Sequence, residues 1–112
     1  MKKYSVRIIP SAFDDIDNLA EFYLDLVDEE SSRHFIDDAL ATIETLADFP
    51  ESQEYFDKDN NIRAVRVKNH RVKVVYVVHN GIYEVLAFGV FHTSSKPSGY
   101  TQDLLERLKE LE

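Results

Sequence analysis

Between Arg63 and Lys73 the chain carries five cations, Arg63, Arg66, Lys68, Arg71 and Lys73, and no acidic residue, a local balance of +5. Upstream, Asp14 to Asp59 holds sixteen acidic residues against two basic ones, a balance of −14. Cations interleaved with Val and Tyr project from a strand surface, and their chemistry is anion binding, phosphate first, because the planar guanidinium fork matches phosphate oxygens. The four imidazoles are His34, His70, His79 and His92. None stands at metal-ligand spacing from another His or a carboxylate, so no metal is expected. His70 and His92 fall at the same end of the expected sheet as Arg71 and are the titratable candidates there. His34 reads as a partly buried surface histidine on a helix, and His79 as an exposed neighbour of a turn. The chain has no Gly-rich phosphate loop, zinc-protease helix motif or Gly-x-Ser-x-Gly elbow. Without cysteine it has no disulfide, thiolate zinc site or cysteine nucleophile.

The elements that must position these residues follow from periodicity. Residues 3–9 read as a short strand closed by Pro10. Ser11 then caps a helix, with Ser11-Ala12-Phe13-Asp14 at capping-box spacing. Ile16, Leu19, Ala20, Tyr23, Leu26 and Val27 form its apolar stripe, and Asp15, Asp17, Glu21 and Asp25 its water side. Ser31-Ser32 offers a second cap after Asp28-Glu29-Glu30. Phe35, Ile36, Ala39, Leu40, Ile43, Leu46 and Ala47 make a second stripe, which Phe49-Pro50 stops, so an antiparallel helical hairpin is predicted. Residues 51–61 read as a loop. Ile62 to Lys68, Arg71 to Val78 and Ile82 to Phe91 are three strands by composition. Thr101 caps a short final helix with Leu104, Leu105, Leu108 and Leu111 on one face. The predicted fold is α+β: an N-terminal strand, an antiparallel helical hairpin packed on an antiparallel sheet, and a short C-terminal helix.

Register decides whether the cations meet. Asn80-Gly81 as a two-residue type I′ turn sets His79 opposite Ile82, Arg71 opposite Val90 and Lys73 opposite Phe88. Asn69-His70 as a second two-residue turn sets Lys68 opposite Arg71 and Arg66 opposite Lys73. Side chains alternate faces, so Arg66, Lys68, Arg71, Lys73 and His92 would share one side. Directly opposed like charges destabilise a sheet. Two readings of this cluster stand: an anion-binding surface, or a surface neutralised by acids from the helices or a partner. One residue more in the Asn69-His70 turn would move Arg66 and Lys68 to the other face.

One domain spanning 1–112 is expected, since 112 residues leave too little chain for a second core. The composition, 44% hydrophobic, suffices for a core and argues against wholesale disorder. A net charge of −8 argues against general affinity for nucleic acid or anionic membrane. No apolar run reaches the roughly 18 residues of a membrane span, and Met1-Lys2-Lys3 leads into no signal-peptide pattern. The expected location is the cytoplasm.

Four segments carry a resemblance over nearly the whole chain: Ile8-Ile9-Pro10-Ser11-Ala12-Phe13-Asp14-Asp15-Ile16, Leu46-Ala47-Asp48-Phe49-Pro50, Ile62-Arg63-Ala64-Val65 with Asn69 to Tyr76, and Val90-Phe91-His92-Thr93-Ser94-Ser95-Lys96-Pro97. In order and spacing they resemble the RelE/ParE superfamily of bacterial type II toxin–antitoxin systems, associated with plasmid stabilisation and growth inhibition. The last segment resembles the ParE-like branch, whose members bind DNA gyrase. That branch is the favoured reading. The alternatives are a RelE-like, metal-independent ribonuclease acting on ribosome-associated messenger RNA, and a non-toxic antitoxin-binding module. In the ribonuclease reading a ribose 2′-hydroxyl attacks the adjacent phosphate, which requires a base, cations and an acid. The resemblance then implies Arg71 as phosphate clamp, Lys68 and Lys73 as added positive field, His92 as acid or base and Tyr100 as a hydroxyl donor. Ser94-Ser95 departs from the arginine that follows the histidine in many of the ribonucleases. The implied partner is a cognate antitoxin, with an acidic or amphipathic segment near Arg63, Arg66, Lys68, Arg71 and Lys73. No cofactor and no direct DNA reading are implied.

Overall fold

Pro10 ends the first strand and also starts the helix that follows. Strand β1 (Ser5–Ile8) passes through Ile9, the N-cap, into helix α1 (Pro10–Leu26), with proline at the first helical position, where its missing N–H costs nothing. The structure, a computed structural model, describes residues 3–93 and 97–110, the side chains of 97–101 excepted. Ser11 is therefore not the cap: its hydroxyl donates to the Phe88 carbonyl at 3.1 Å and ties the helix to the sheet. The second cap also falls earlier than expected. Asp28 accepts the Ser31 N–H at 2.7 Å and opens α2 (Glu29–Glu44), while Ser32 donates to the Ala20 carbonyl at 2.7 Å, stitching α2 to α1. A single 3-10 turn (Thr45–Ala47) ends the hairpin.

The predicted stripes supply much of the core, but Leu40, in the middle of the second, is exposed. Ala12, Ile16, Ala20, Phe35, Ala39, Ile43 and Leu46 are buried, but Leu26 and Val27 are exposed beyond the sheet's reach. Asp15 leaves the expected water side. Its carboxylate accepts from Val90 N–H at 2.9 Å and pairs with Arg107 at 2.6 Å.

The loop expected over 51–61 contains a strand, β2 (Tyr55–Asp57), too short and polar to show an alternating pattern. Strands β3 (Ile62–Arg66), β4 (Val72–His79) and β5 (Glu84–His92) follow, and the sheet order is β1-β5-β4-β3-β2. β1 runs parallel to β5, so the sheet is mixed rather than wholly antiparallel. Helix α3 (Pro97–Glu110) starts before the expected Thr101 cap. One sheet face packs Val65, Val72, Val74, Tyr76, Val85, Ala87 and Val90 against α1 and α2. The other packs Ile62, Val75, Val77, Leu86, Phe88 and Phe91 with Leu104 of α3. No described helix is long and apolar enough to cross a membrane.

Candidate functional site

The expected meeting of β3 and β4 is present: Arg66 lies directly opposite Lys73. Beyond that rung the chain leaves the ladder. Val67 N–H donates to the Val72 carbonyl at 2.8 Å, and His70 N–H to the Val67 carbonyl at 3.1 Å, closing a turn whose third residue, Asn69, has φ 69°. Asparagine tolerates this left-handed conformation. Lys68 and Arg71 thus belong to the loop and are not an opposed pair.

The β4–β5 connection departs further. Asn80–Ile82 form a 3-10 turn, Tyr83 takes φ 51°, and His79 pairs with Glu84 rather than Ile82. This shift of two residues preserves which face each side chain occupies. A bulge between Val75 and Tyr76 then adds one residue to β5, so Val75 pairs with Gly89, Lys73 with Phe91 and Val72 with His92. A shift of one exchanges the faces. The expectation that Arg66, Lys68, Arg71, Lys73 and His92 share one side is therefore overturned: Arg66 and Lys73 face the α3 side, and His92 faces the helical hairpin.

Two concave regions result, one on each side of the sheet. On the hairpin side, a basin of about 560 Å³ brings Arg71 and His92 together with His34, His70, Asp38 and Tyr23. His70 organises its wall. Its Nε2 lies 2.9 Å from Asp38 Oδ2 and its Nδ1 3.3 Å from the Tyr23 hydroxyl. The imidazole also meets the rings of Tyr23 and Phe35 edge-on at 5.6 and 5.3 Å. Burial pushes the Tyr23 phenol above its ordinary range. This Asp38–His70–Tyr23 chain holds the β3–β4 loop against the helices and so fixes where Arg71 stands. Asp38 and Tyr23 escape sequence reasoning because both sit inside ordinary helical patterns. His34 is more exposed than expected, with two-thirds of its side chain open and Glu30 at 3.9 Å.

On the α3 side, Arg66 and Lys73 border a groove of similar size with Ala64, Phe56 and the segment Ser52–Tyr55. Arg63 is engaged by its own chain. Its guanidinium donates to the Glu51 and Gln53 carbonyls at 3.1 and 2.6 Å and to the Tyr55 hydroxyl at 3.0 Å, and lies 4.0 Å above the Tyr55 ring. Lys68 is exposed at the loop, its backbone N–H 3.4 Å from the Thr42 hydroxyl. The Tyr100 side chain lies outside the described residues, as do Ser94, Ser95 and Lys96. The implied set of Arg71, His92, Lys68 and Lys73 is therefore not assembled: Arg71 and His92 share the basin, and Lys73 lies across the sheet.

A strand, a helical hairpin laid across a mixed sheet and a helix on the far face, with an arginine–histidine basin at one end, make up an α+β fold with helices on both faces of the sheet. The family model "ParE toxin of type II toxin-antitoxin system, parDE" matches residues 6–97, and the chain belongs to that family within the RelE/ParE superfamily. Among solved structures, the chain is similar to a chain of the chromosomal ParDE system from P. aeruginosa, with TM-score 0.70 and 13% identity over 80% of this chain and 96% of that one. It is also similar to a chain of the RelBE2 toxin–antitoxin complex from Mycobacterium tuberculosis, with TM-score 0.60 and 15% identity over 85% and 97%. At these identities the likeness is one of fold. A comparison with curated proteins gives no match.

Proposed function

We propose that this chain is the growth-inhibiting member of a ParDE-type pair, that it acts in the cytoplasm by binding DNA gyrase, and that a cognate antitoxin neutralises it. The observation carrying this reading is the ParE family match across residues 6–97. Geometry supports it over the ribonuclease alternative. Cutting RNA needs base, acid and charge-stabilising cations around one phosphate, and Lys73 is on the wrong side of the sheet to join Arg71 and His92. The basin instead offers a binding surface, with Arg71 as an exposed cation on its rim. The chain's −8 charge opposes long-range attraction to nucleic acid, leaving contacts within a Debye length of about 8 Å to act.

The test is expression without any antitoxin, followed by assay of the purified chain. Growth arrest with gyrase supercoiling blocked in vitro is the expected result, and Arg71→Gln should relieve both by at least about tenfold if one charge-assisted contact of roughly 1.5–3 kcal/mol is lost. Arrest with truncated messages and normal supercoiling would transfer the function to the ribonuclease reading. Absence of arrest at full expression would leave the non-toxic antitoxin-binding module.

A further inference from the structure

The Asn80-Gly81 pair serves neither the expected type I′ turn nor the Arg71 basin, which lies at the opposite end of β4. Both residues are exposed, on a single 3-10 turn whose closing bond, from Tyr83 N–H to the Asn80 carbonyl, is 3.4 Å long and therefore weak. The Asn80 side chain, by contrast, is tied down. The Tyr4 hydroxyl, just ahead of β1, donates to its Oδ1 at 2.7 Å. The same hydroxyl lies 3.4 Å from Glu51 Oε1, a second and more distant acceptor. Gly81 keeps a negative φ, and among the described residues no heavy atom beyond its chain neighbours stands within 4 Å of where a Cβ would be.

We infer that Asn80-Gly81 is a site of self-modification, where the Tyr4 phenol activates the asparagine towards conversion to aspartate and isoaspartate. Solvent hydroxide takes the proton of the Gly81 nitrogen, which attacks Asn80 Cγ. The carbonyl electron pair moves onto Oδ1 and returns as the amide nitrogen leaves as ammonia, protonated by water, closing a cyclic imide. Water then adds to either imide carbonyl and breaks that carbonyl's bond to the Gly81 nitrogen, giving aspartate or isoaspartate. Negative charge gathers on Oδ1 during ring closure, and the Tyr4 hydroxyl 2.7 Å away is placed to stabilise it, as a donor in an oxyanion hole does. A 3-10 turn holds the Gly81 nitrogen out of line for attack, so the peptide plane between the two residues must turn. That rotation changes ψ of Asn80 and φ of Gly81 in opposite senses and carries the latter towards positive values, which glycine alone adopts freely. Open space around Gly81 and the weak closing bond oppose it little. The product sets a new carboxylate beside Glu51, and the two compete for one phenol proton where Tyr4 anchors the start of β1. The site stands whether or not the chain is a toxin.

The experiment incubates the folded full chain at mildly alkaline pH and follows amide loss by peptide mass and isoaspartate by enzymatic methylation. Residue 80 should convert ahead of Asn61 and Asn69, which are also exposed but precede Ile62 and His70. Tyr4→Phe should slow conversion at residue 80 by about tenfold in the folded chain, the equivalent of one hydrogen bond, and leave the rate in urea unchanged, because the unfolded chain does not hold the phenol against Asn80. Glu51→Ala, which leaves the phenol to Asn80 alone, should quicken conversion by about twofold. Glu51 is exposed, so this variant spares the fold and tests the site even where Tyr4→Phe does not fold. Four results would overturn the assignment: Asn61 or Asn69 converting first in the folded chain, folded Tyr4→Phe reacting as fast as the parent, Glu51→Ala reacting no faster than the parent, or residue 80 staying intact while the chain in urea converts fully.

Discussion

His70 shows how much a single side chain can decide. A histidine beside an arginine in a strand-rich segment reads as a candidate for proton chemistry. The structure instead gives its two nitrogens to Asp38 and Tyr23 and leaves only 13% of the side chain exposed. Its effect on the basin is positional. Replacing it with alanine removes ring packing and both polar contacts, for an expected cost of about 1–3 kcal/mol, seen as a lower thermal midpoint, and loosens the β3–β4 loop that carries Arg71. Tyr76 is a second buried hydroxyl with a defined partner, donating to the Pro50 carbonyl at 2.6 Å. Burial pushes its phenol up to about 12, opposed by the nearby Arg63 charge. A folded-state value above the ordinary phenol value of about 10 means the native state holds its proton where the unfolded chain has lost it. Stability from this group is therefore complete below pH ~10 and falls as pH rises from ~10 towards ~12. Urea unfolding at pH 8 and at pH 11 should show that fall in the parent and a smaller one in Tyr76→Phe.

At the scale of elements, the helical stripes and the strand composition were legible because period 3.6 and β-branched runs are strong signals over ten or more residues. The places that failed are those where a tertiary contact outbids local chemistry. Ser11 and Ser32 look like caps but donate across to Phe88 and Ala20, leaving Ile9 and Asp28 to begin the helices. Asn80-Gly81 has the composition of a tight hairpin, yet Tyr83 takes the left-handed residue and the turn widens. The bulge opposite Val75 and Tyr76 leaves no mark in the sequence, and it alone separates Lys73 from His92. Gly89 is the nearest visible trace of that region's constraint, since a Cβ there would stand 2.7 Å from Leu104 Cδ2 and 2.9 Å from Val75 Cγ2. Gly89→Ala should therefore push α3 off the sheet at a cost of about 1–3 kcal/mol. Faster hydrogen exchange at residues 102–110, with β3 and β4 protection retained, is the expected signature. Uniform loss of protection would mean that α3 docking is inseparable from the whole fold.

At the scale of the whole molecule, charge is divided between an acidic helical hairpin and a basic sheet end, and salt weakens the like-charge repulsion within each. Asp14, Asp17, Glu21, Asp25, Glu29, Glu30 and Asp37 are all exposed on α1 and α2; among the described residues Arg33 pairs with Glu29 at 3.6 Å, and His34 lies beside Glu30. Their mutual repulsion opposes folding most at low ionic strength, where the Debye length is about 30 Å at 0.01 M, and is largely screened at about 8 Å in 0.15 M salt. The thermal midpoint should thus rise by a few degrees over that range. Salt anions settling on Arg66 and Lys73 would also raise the midpoint, so the comparison belongs in Arg66→Gln/Lys73→Gln as well. If the rise persists there, it comes from screening of the hairpin. If it vanishes, the opposed pair of Arg66 and Lys73 was the seat of the strain and salt was relieving it.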